Sequence, residues 1–477
     1  MPSEVEPQNL LFILSDEHNR NVAGCYGHPL VRTPNIDRLA ANGTLFRSAY
    51  CNSPICVPAR AALATGRYVH ETGCWDNAFP YTGEPESWHH IARANGIDVV
   101  SIGKLHFRGG DDYGFTEELL PLHVVDGKGD LKGLFRKAQL PKRGTDDLAA
   151  SAGRGSSTYS RYDARIAAMA EGWLERRAAS GSDRPFVLFV SFVMPHFPLV
   201  APEACYDLYA DFGLEDLSHG LTAPPPDHPA VRHMLSYFDY DQYFDDEKRA
   251  VALRAYFGMV TRLDELLGGV ITTLDRHGLA ERTRIIYASD HGDNLGNRGM
   301  WGKSVMYEDS VAVPLIMSGA DIPVGRTVET PVSLIDIAPT VMHATGASAG
   351  IDSRGSSLID LAREEQPKRV VFSEYHAAGS QTAQFMIRKR NWKYVAYVGM
   401  RPQLFDLEKD PNELCDLWND PEHQRVIAEL NAELEAICAP AEVNARAFRD
   451  QQTRIEEFGG MSGIDKTIDI PFTPAPL

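Results

Sequence analysis

Residues 9–14, NLLFIL, are apolar almost without interruption and stop at the polar quartet Ser15-Asp16-Glu17-His18. An unbroken apolar run of this length predicts a strand covered on both faces, since alternation is needed only where one face meets water. Thr33-Pro34 then opens a short helix over IDRLAA that Asn42-Gly43 ends. TLFRSAY reads as a second strand. CVPARAALATGR reads as a helix whose proline fits the first turn and whose glycine stops it. The alternation continues with SWHHIARANG into IDVVSIG and RYDARIAAMAEGWLERRAA into PFVLFVSFV. A long amphipathic helix from Asp246 to His277 leads into RTRIIYASDHG; VAVPLIMSG follows as a strand and Ser333 to Thr345 as a helix.

Helices alternating with apolar strands predict an α/β sandwich around a large, mostly parallel sheet. Ligands of such sheets gather beyond the carboxyl ends of the strands. Asp16, His106, His196 and Asp290 all fall at such ends. Near residue 370 the texture changes. RVVFSEYH, QFMIRKRNWKYVAYV and PQLFDLEKDP read as antiparallel strands, followed by a helix over HQRVIAELNAELEAIC. We therefore divide the chain into a catalytic α/β body, residues 1–370, and a smaller α+β subdomain, 371–477. The latter ends in a Gly- and Pro-rich tail, GGMSGIDKTIDIPFTPAPL, with no helical pattern. The polar segments 103–150 and 206–245 are expected to lie over the active edge of the sheet.

The formal net charge of -18 argues against nucleic acid or a membrane surface as partner. It leaves room for a small anion wherever Arg, Lys and His gather locally. The seven cysteines, at 25, 51, 56, 74, 205, 415 and 438, are odd in number and form no Cys-x-x-Cys pair. That predicts a reducing compartment. The start, MPSEVEPQNL, has neither a basic nor an apolar leader region, and no run approaches the roughly 18 apolar residues of a membrane span. The expected location is the cytoplasm.

Asp16 and Asp290 offer two carboxylates suited to a hard divalent cation. His291 could ligate it or bind substrate, and Glu17 could add an oxygen, though neighbours on a strand tip point opposite ways. Taken alone, the DHGD stretch could equally be a polar turn. Asn77, in GCWDNAF, could supply a neutral oxygen or a substrate hydrogen bond. Lys104 and His106 alternate in GKLHF and project to one side if extended. His196 stands between two prolines in MPHFP, and Lys303 lies a short loop beyond the DHG turn. With Arg60 these groups describe an anion cradle able to stabilise an oxyanion and deliver a proton. Glu308-Asp309 and DYDQYFDDE read as solvated acidic surface. Trp75, Phe79, His123, Tyr240, Tyr375 and His376 are candidate pocket walls, able to meet an aryl group or a quaternary ammonium.

CVPAR, residues 56–60, resembles the Cys-x-Pro-x-Arg signature of the type I sulfatases of the alkaline-phosphatase-like superfamily, and ALATGR continues it. DEH, GKLHF, PHFP and SDHGD stand in the family's order, and the resemblance runs from the first strand to about Asn412. It implies an alkaline-phosphatase-like sandwich in which Cys56 is converted to Cα-formylglycine, whose hydrate is the nucleophile. Arg60 would orient that group. Asp16, Asp290 and His291, with Glu17 and position 56, would hold one divalent ion, calcium, manganese or magnesium. Lys104, His106, His196 and Lys303 would contact the sulfate or the leaving group, the proton donor being open among His106, His196 and Lys303.

Many sulfatases carry paired aspartates where this chain has Asp16-Glu17, and Asp-Asn where it has Asp290-His291. The latter pattern, with Asp76-Asn77 and the later EYH and PQLFDLEKDP, is similar to the choline-sulfatase and phosphonate monoester hydrolase branch. The implied activity is hydrolysis of a small sulfate ester. Phosphonate monoesters or phosphodiesters are the alternative substrates, and an inactive anion-binding protein the outcome if Cys56 stays a thiol. The implied partners are a small anionic ester, a formylglycine-generating enzyme, and further copies of the chain in a homodimer or homotetramer.

The chemistry also explains the spacing. A sulfur adduct would need a second attack for release, whereas a geminal diol expels the oxyanion as the aldehyde reforms. The helix start supplies amide donors and a positive dipole end, and four residues on, Arg60 returns to the same face.

Overall fold

The computed structural model describes residues 8–136, 146–347, 350–467 and 472–476. Its main sheet has eight strands: β1 (Asn9–Asp16), β2 (Gly43–Phe46), β3 (Asp98–Lys104), β4 (Glu117–Leu122), β5 (Phe186–Pro195), β6 (Thr283–Ser289), β7 (Leu315–Gly319) and β8 (Arg326–Val328). Their order is β8-β2-β7-β6-β1-β5-β3-β4. Only β7 runs against its neighbours; every other pairing in the sheet is parallel. Residues 137–145, part of the polar segment expected over the active edge, lie outside the described residues.

The apolar run of β1 is explained by two cores. Leu10, Phe12 and Leu14 face the cluster that contains Trp88, Ala338 and Val341; Leu11 and Ile13 face one built with Ile166, Leu253 and Val260. The first face is covered by α2 (Cys56–Thr65), α3 (Trp88–Ala94) and a helix over Ile337–Thr345. The second is covered by α1 (Pro34–Ala41), α4 (Thr158–Ala179) and α5 (Asp246–Arg276). Each fully buried Leu, Ile or Phe adds about 1.5–3 kcal/mol, so this central strand is firmly held.

The second sheet is antiparallel, with strands Val370–Tyr375, Gln384–Lys389, Trp392–Tyr397 and Gln403–Asp406 in sequential order. One face, through Val371, Tyr375, Met386 and Val395, joins the first core. The other carries Phe372, Phe385 and Ile387 against Leu430 and Leu434 of the helix over Gln424–Ile437 and Val443 and Ala447 of the helix over Pro440–Glu457.

The structure corrects several expectations. The strand expected over VAVPLIMSG begins only at Leu315, because Pro314 has no N–H to give the ladder. TLFRSAY splits into Gly43–Phe46 and Ala49–Tyr50, which join different sheets. The tail contains a helix, Gly460–Asp465, that its glycines had masked. Glu308 and Asp309 are buried and ion-paired with Arg20, Lys393 and Arg298 rather than solvated. All seven cysteines are free thiols, and no helix among the described residues is long and apolar enough to cross a membrane.

Candidate active site

Strand order places the chemistry. β6, β1, β5 and β3 are consecutive neighbours, all parallel, so their carboxyl ends lie side by side. β6 delivers Asp290 and His291, β1 Asp16 and Glu17, β5 His196, and β3 Lys104 and His106. The backbone turns sharply here. Glu17 and His106 have φ of 67° and 57°, left-handed values that cost non-glycine residues free energy and that cluster at functional sites.

Helix α2 enters this array at its first residue, Cys56, and is buried along its whole length. The Cys56 Sγ lies 3.2 Å from His291 Nε2 and 3.8 Å from Asp16 Oδ1. Asn77 Oδ1 accepts from the Val57 N–H, satisfying a donor of the first helical turn that has no partner within the helix. One turn on, the Arg60 guanidinium spans the strand tips. Its Nε donates to Asp290 Oδ2 at 2.7 Å and its Nη2 to Asp16 Oδ2 at 2.9 Å. Its Nη1 donates to the Lys104 carbonyl and to Ser191 Oγ. Ser191 was not singled out in the sequence, although a lone hydroxyl within the apolar run of β5 was a signal.

The charges are strongly coupled. Burial pushes the Asp16 carboxyl upward, but Lys104, with Nζ 2.6 Å away, His196, Arg60 and His291 outweigh it and hold the group well below the usual range. Glu17 goes the other way: burial raises it well above normal despite Lys303, whose Nζ donates to Glu17 Oε2 at 2.8 Å. Burial alone would discharge Lys303, yet position 56, Glu17 and Asp16 keep its ammonium more strongly protonated than usual. His196 is held well below an ordinary imidazole by burial and by Lys303, and His106 by burial, Lys104 and Arg60. His196 Nδ1 therefore donates to the Phe197 carbonyl at 2.7 Å, leaving Nε2 to accept from Lys303 Nζ at 2.9 Å.

These residues fit a divalent ion. Asp16, Cys56, Asp290 and His291 each offer a donor atom, all within 4.8 Å of one another. His291 Nδ1 faces the Gly292 carbonyl at 3.1 Å, so its proton sits there and the Nε2 lone pair is free to ligate. Asp16, Glu17 and His196 form a second such group. One Glu17 oxygen, Oε1, is buried with no hydrogen bond among the described residues.

Cys56, Asn77, Lys104, His106, His196 and Lys303 line one cavity of about 70 Å³. Tyr159, Phe197, Asp130, Phe472 and Thr473 also line it; none of these was anticipated as a wall residue. Trp75, Tyr375 and His376 were expected as walls and are not among the lining residues. Trp75 is buried with its indole N–H on Asp450, Tyr375 donates to the Ala378 carbonyl, and His376 pairs with Glu374. Trp75 and His376 face the seam between the second sheet and the C-terminal helices, while Tyr375 is buried in the first core on the other face of that sheet. A larger cleft, about 590 Å³, lies elsewhere; its charges largely answer one another, as in Arg20–Glu308 and Arg47–Glu329.

A parallel-sheet sandwich whose strand tips close two aspartates, an arginine, two lysines and three histidines around a helix-start cysteine belongs to the metal-assisted hydrolases of anionic esters. The chain is a member of the sulfatase family: the Sulfatase family model matches residues 8–347, and that of the N-sulphoglucosamine sulphohydrolase C-terminal region matches residues 296–439. It is 34% identical to the choline-sulfatase of Rhizobium meliloti (strain 1021) over 467 residues, covering 94% of this chain and 90% of that one. It is 29% identical to human arylsulfatase K over 435 residues, 86% of this chain and 78% of the relative. Among solved structures, the phosphonate monoester hydrolase of Agrobacterium radiobacter superposes with a TM-score of 0.72 at 24% identity, over 90% of this chain and 95% of that one. The buried Cys56 beside a carboxylate and histidine set is consistent with a formylglycine-type active site.

Proposed function

We propose that this protein hydrolyses a small sulfate monoester, with position 56 converted to formylglycine. The observation that carries the reading is Cys56 at the first turn of α2, within 3.8 Å of both His291 and Asp16 and facing the Lys104, His106, His196 and Lys303 cavity. A hydrated aldehyde at 56 would supply a nucleophilic oxygen and a second hydroxyl, and Asp16, Asp290 and His291 would hold a divalent ion that would supply electrostatic stabilisation of charge on the ester oxygens.

The other tasks fall to this chain's own residues. Arg60 fixes both aspartates and stops their repulsion from splaying the tips. Lys104 and Lys303 place positive charge against the ester's oxygens. Lys303 is the protonated member of its pair with neutral His196, and its ammonium, which faces the cavity, is the proton source for the departing oxygen, while His196 holds it in place. Glu17 anchors the lysine from the far side.

Sulfate monoesters, phosphodiesters and phosphonate monoesters are all monoanions, and one cradle accepts each. The identity with a choline-sulfatase supports the sulfate ester, and the likeness in fold to a phosphonate monoester hydrolase gives the rival to be tested. Turnover of matched nitrophenyl sulfate and nitrophenyl phenylphosphonate decides it: a higher kcat/KM for sulfate is expected, and a dominant phosphonate rate would reverse the order. Fully converted protein that turns over neither would be an anion-binding protein. The same reading calls for a formylglycine-generating enzyme as maturation partner, a cytoplasmic location, and a dimer or tetramer that sedimentation would size.

A further inference from the structure

The far end of the chain returns to the site. Phe472 and Thr473 line the same cavity as Cys56 and Lys303, although they stand about 170 or more residues from either in sequence. Thr473 Oγ1 lies 3.0 Å from His106 Nε2, and its carbonyl accepts from the Tyr159 hydroxyl at 2.5 Å. The Pro476 carbonyl accepts from Arg165 Nη1 at 3.0 Å, and Ala475 is buried in the core under α4. The Phe472 ring meets Tyr159 edge-on, with centroids 5.4 Å apart, and stands 6.3 Å from Phe197. Phe197 in turn stacks obliquely on His196 and lies 5.1 Å under the Lys303 ammonium. Residues 472–476 are thus held to α4 at three points and cover the proton-donating wall of the site.

We propose that this segment is a strap that sets the size of ester the enzyme accepts: Phe472 closes the cavity against bulky leaving groups, and Thr473 positions His106. The inference rests on the sulfate-ester reading above. Three observations carry it together. The cavity is small, about 70 Å³, so removing one aromatic wall changes what fits. The aromatic face made by Tyr159, Phe197 and Phe472 is completed only by the strap. His106 is buried with no partner for Nδ1 among the described residues, and its only side-chain hydrogen bond there is to Thr473. The leaving-group class this wall suits is compact and apolar, a short alkyl group lying on ring faces.

The test compares kcat/KM for ethyl sulfate and 4-nitrophenyl sulfate in the parent enzyme, in a chain ended after residue 471, and in full-length Phe472→Ala and Thr473→Val. Intrinsic reactivity cancels when each variant's ratio is divided by the parent's. Loss of 472–477 and Phe472→Ala should each move the ratio about tenfold or more toward the bulkier ester. Thr473→Val, a positioning change, should lower kcat for both esters with little change in the ratio. A ratio within about twofold of the parent in both the shortened chain and Phe472→Ala overturns the proposal. Phe472→Ala keeps the whole chain, so the comparison stands if the shortened one fails to fold. Should the parent hydrolyse neither ester, the sulfate reading fails and the strap is judged by diethyl pyrocarbonate labelling of His106. Labelling about tenfold faster without the strap supports it, and equal rates reject it.

Discussion

The strand-tip site and the seam beneath the second sheet both bury a carboxylate between cationic or imidazole partners, and they are put together differently. In the seam, Glu374 Oε1 accepts from the His70 backbone N–H and Nδ1, and Oε2 is bonded to His376 Nε2 at 2.7 Å. Gln451 carries the network onward, donating to Asp76 Oδ2 and the His376 carbonyl. The carboxylate is spent on protein partners and is not among the residues lining the active-site cavity. At the strand tips, carboxylate oxygens, lysine nitrogens, imidazoles and Cys56 also pair, but around shared space, and some valences stay unused, as at Glu17 Oε1. Buried charge alone does not mark an active site; buried charge converging on a cavity does.

Arg60→Ala should give the largest effect. It leaves Asp290 without its buried cationic partner and Asp16 with Lys104 as its remaining close cation, both at 0% exposure, costing about 3–5 kcal/mol of stability and abolishing turnover. Denaturant unfolding with and without a divalent ion measures it, and a near-neutral result would break the account of the tips as a repulsive pair under restraint. Lys303→Ala should come next, with kcat lowered by about 10²–10⁴-fold and the loss smallest for esters with good leaving groups. A uniform loss across leaving groups would remove Lys303 from the proton path.

Glu374→Gln should be milder and of the opposite kind, destabilising by about 1–3 kcal/mol while kcat/KM stays within about threefold. It also changes the acid limb of stability. Burial works against ionisation of Glu374, but His70 and the bond to His376 prevail and depress its carboxyl below the ordinary range. Its contribution is therefore present above the unfolded value, about 4.5, and is lost as pH falls below that. The variant should show a shallower loss in acid by unfolding titration. Equal slopes would mean that the seam does not hold its charge as described.

Much of the tip site was legible because a parallel sheet converts sequence order into spatial order. Apolar runs ended by DEH, KLH, PHF and DHG, once assigned to adjacent parallel strands, had to bring their polar ends together. Direction within a loop was not legible. Trp75 and Asn77 are two residues apart, yet one faces the C-terminal seam and the other the cavity. The helix over Pro440–Glu457 was missed because its buried stripe, Val443, Ala447, Gln451 and Ile455, is interrupted by the glutamine that links Asp76 to His376. Phe472 and Thr473 gave no signal, since their partners, Tyr159 and His106, lie hundreds of residues away and no periodicity reports such a contact.

The central claim is that the helix-start residue at 56 acts as a converted side chain within this cradle. Its most direct test measures turnover of a small sulfate ester across preparations in which peptide mass gives the fraction of position 56 whose sulfur and two hydrogens have been replaced by oxygen. Turnover should rise in proportion to that fraction and extrapolate to zero for the thiol. Full activity in wholly unconverted protein, or none in wholly converted, metal-loaded protein, would contradict it.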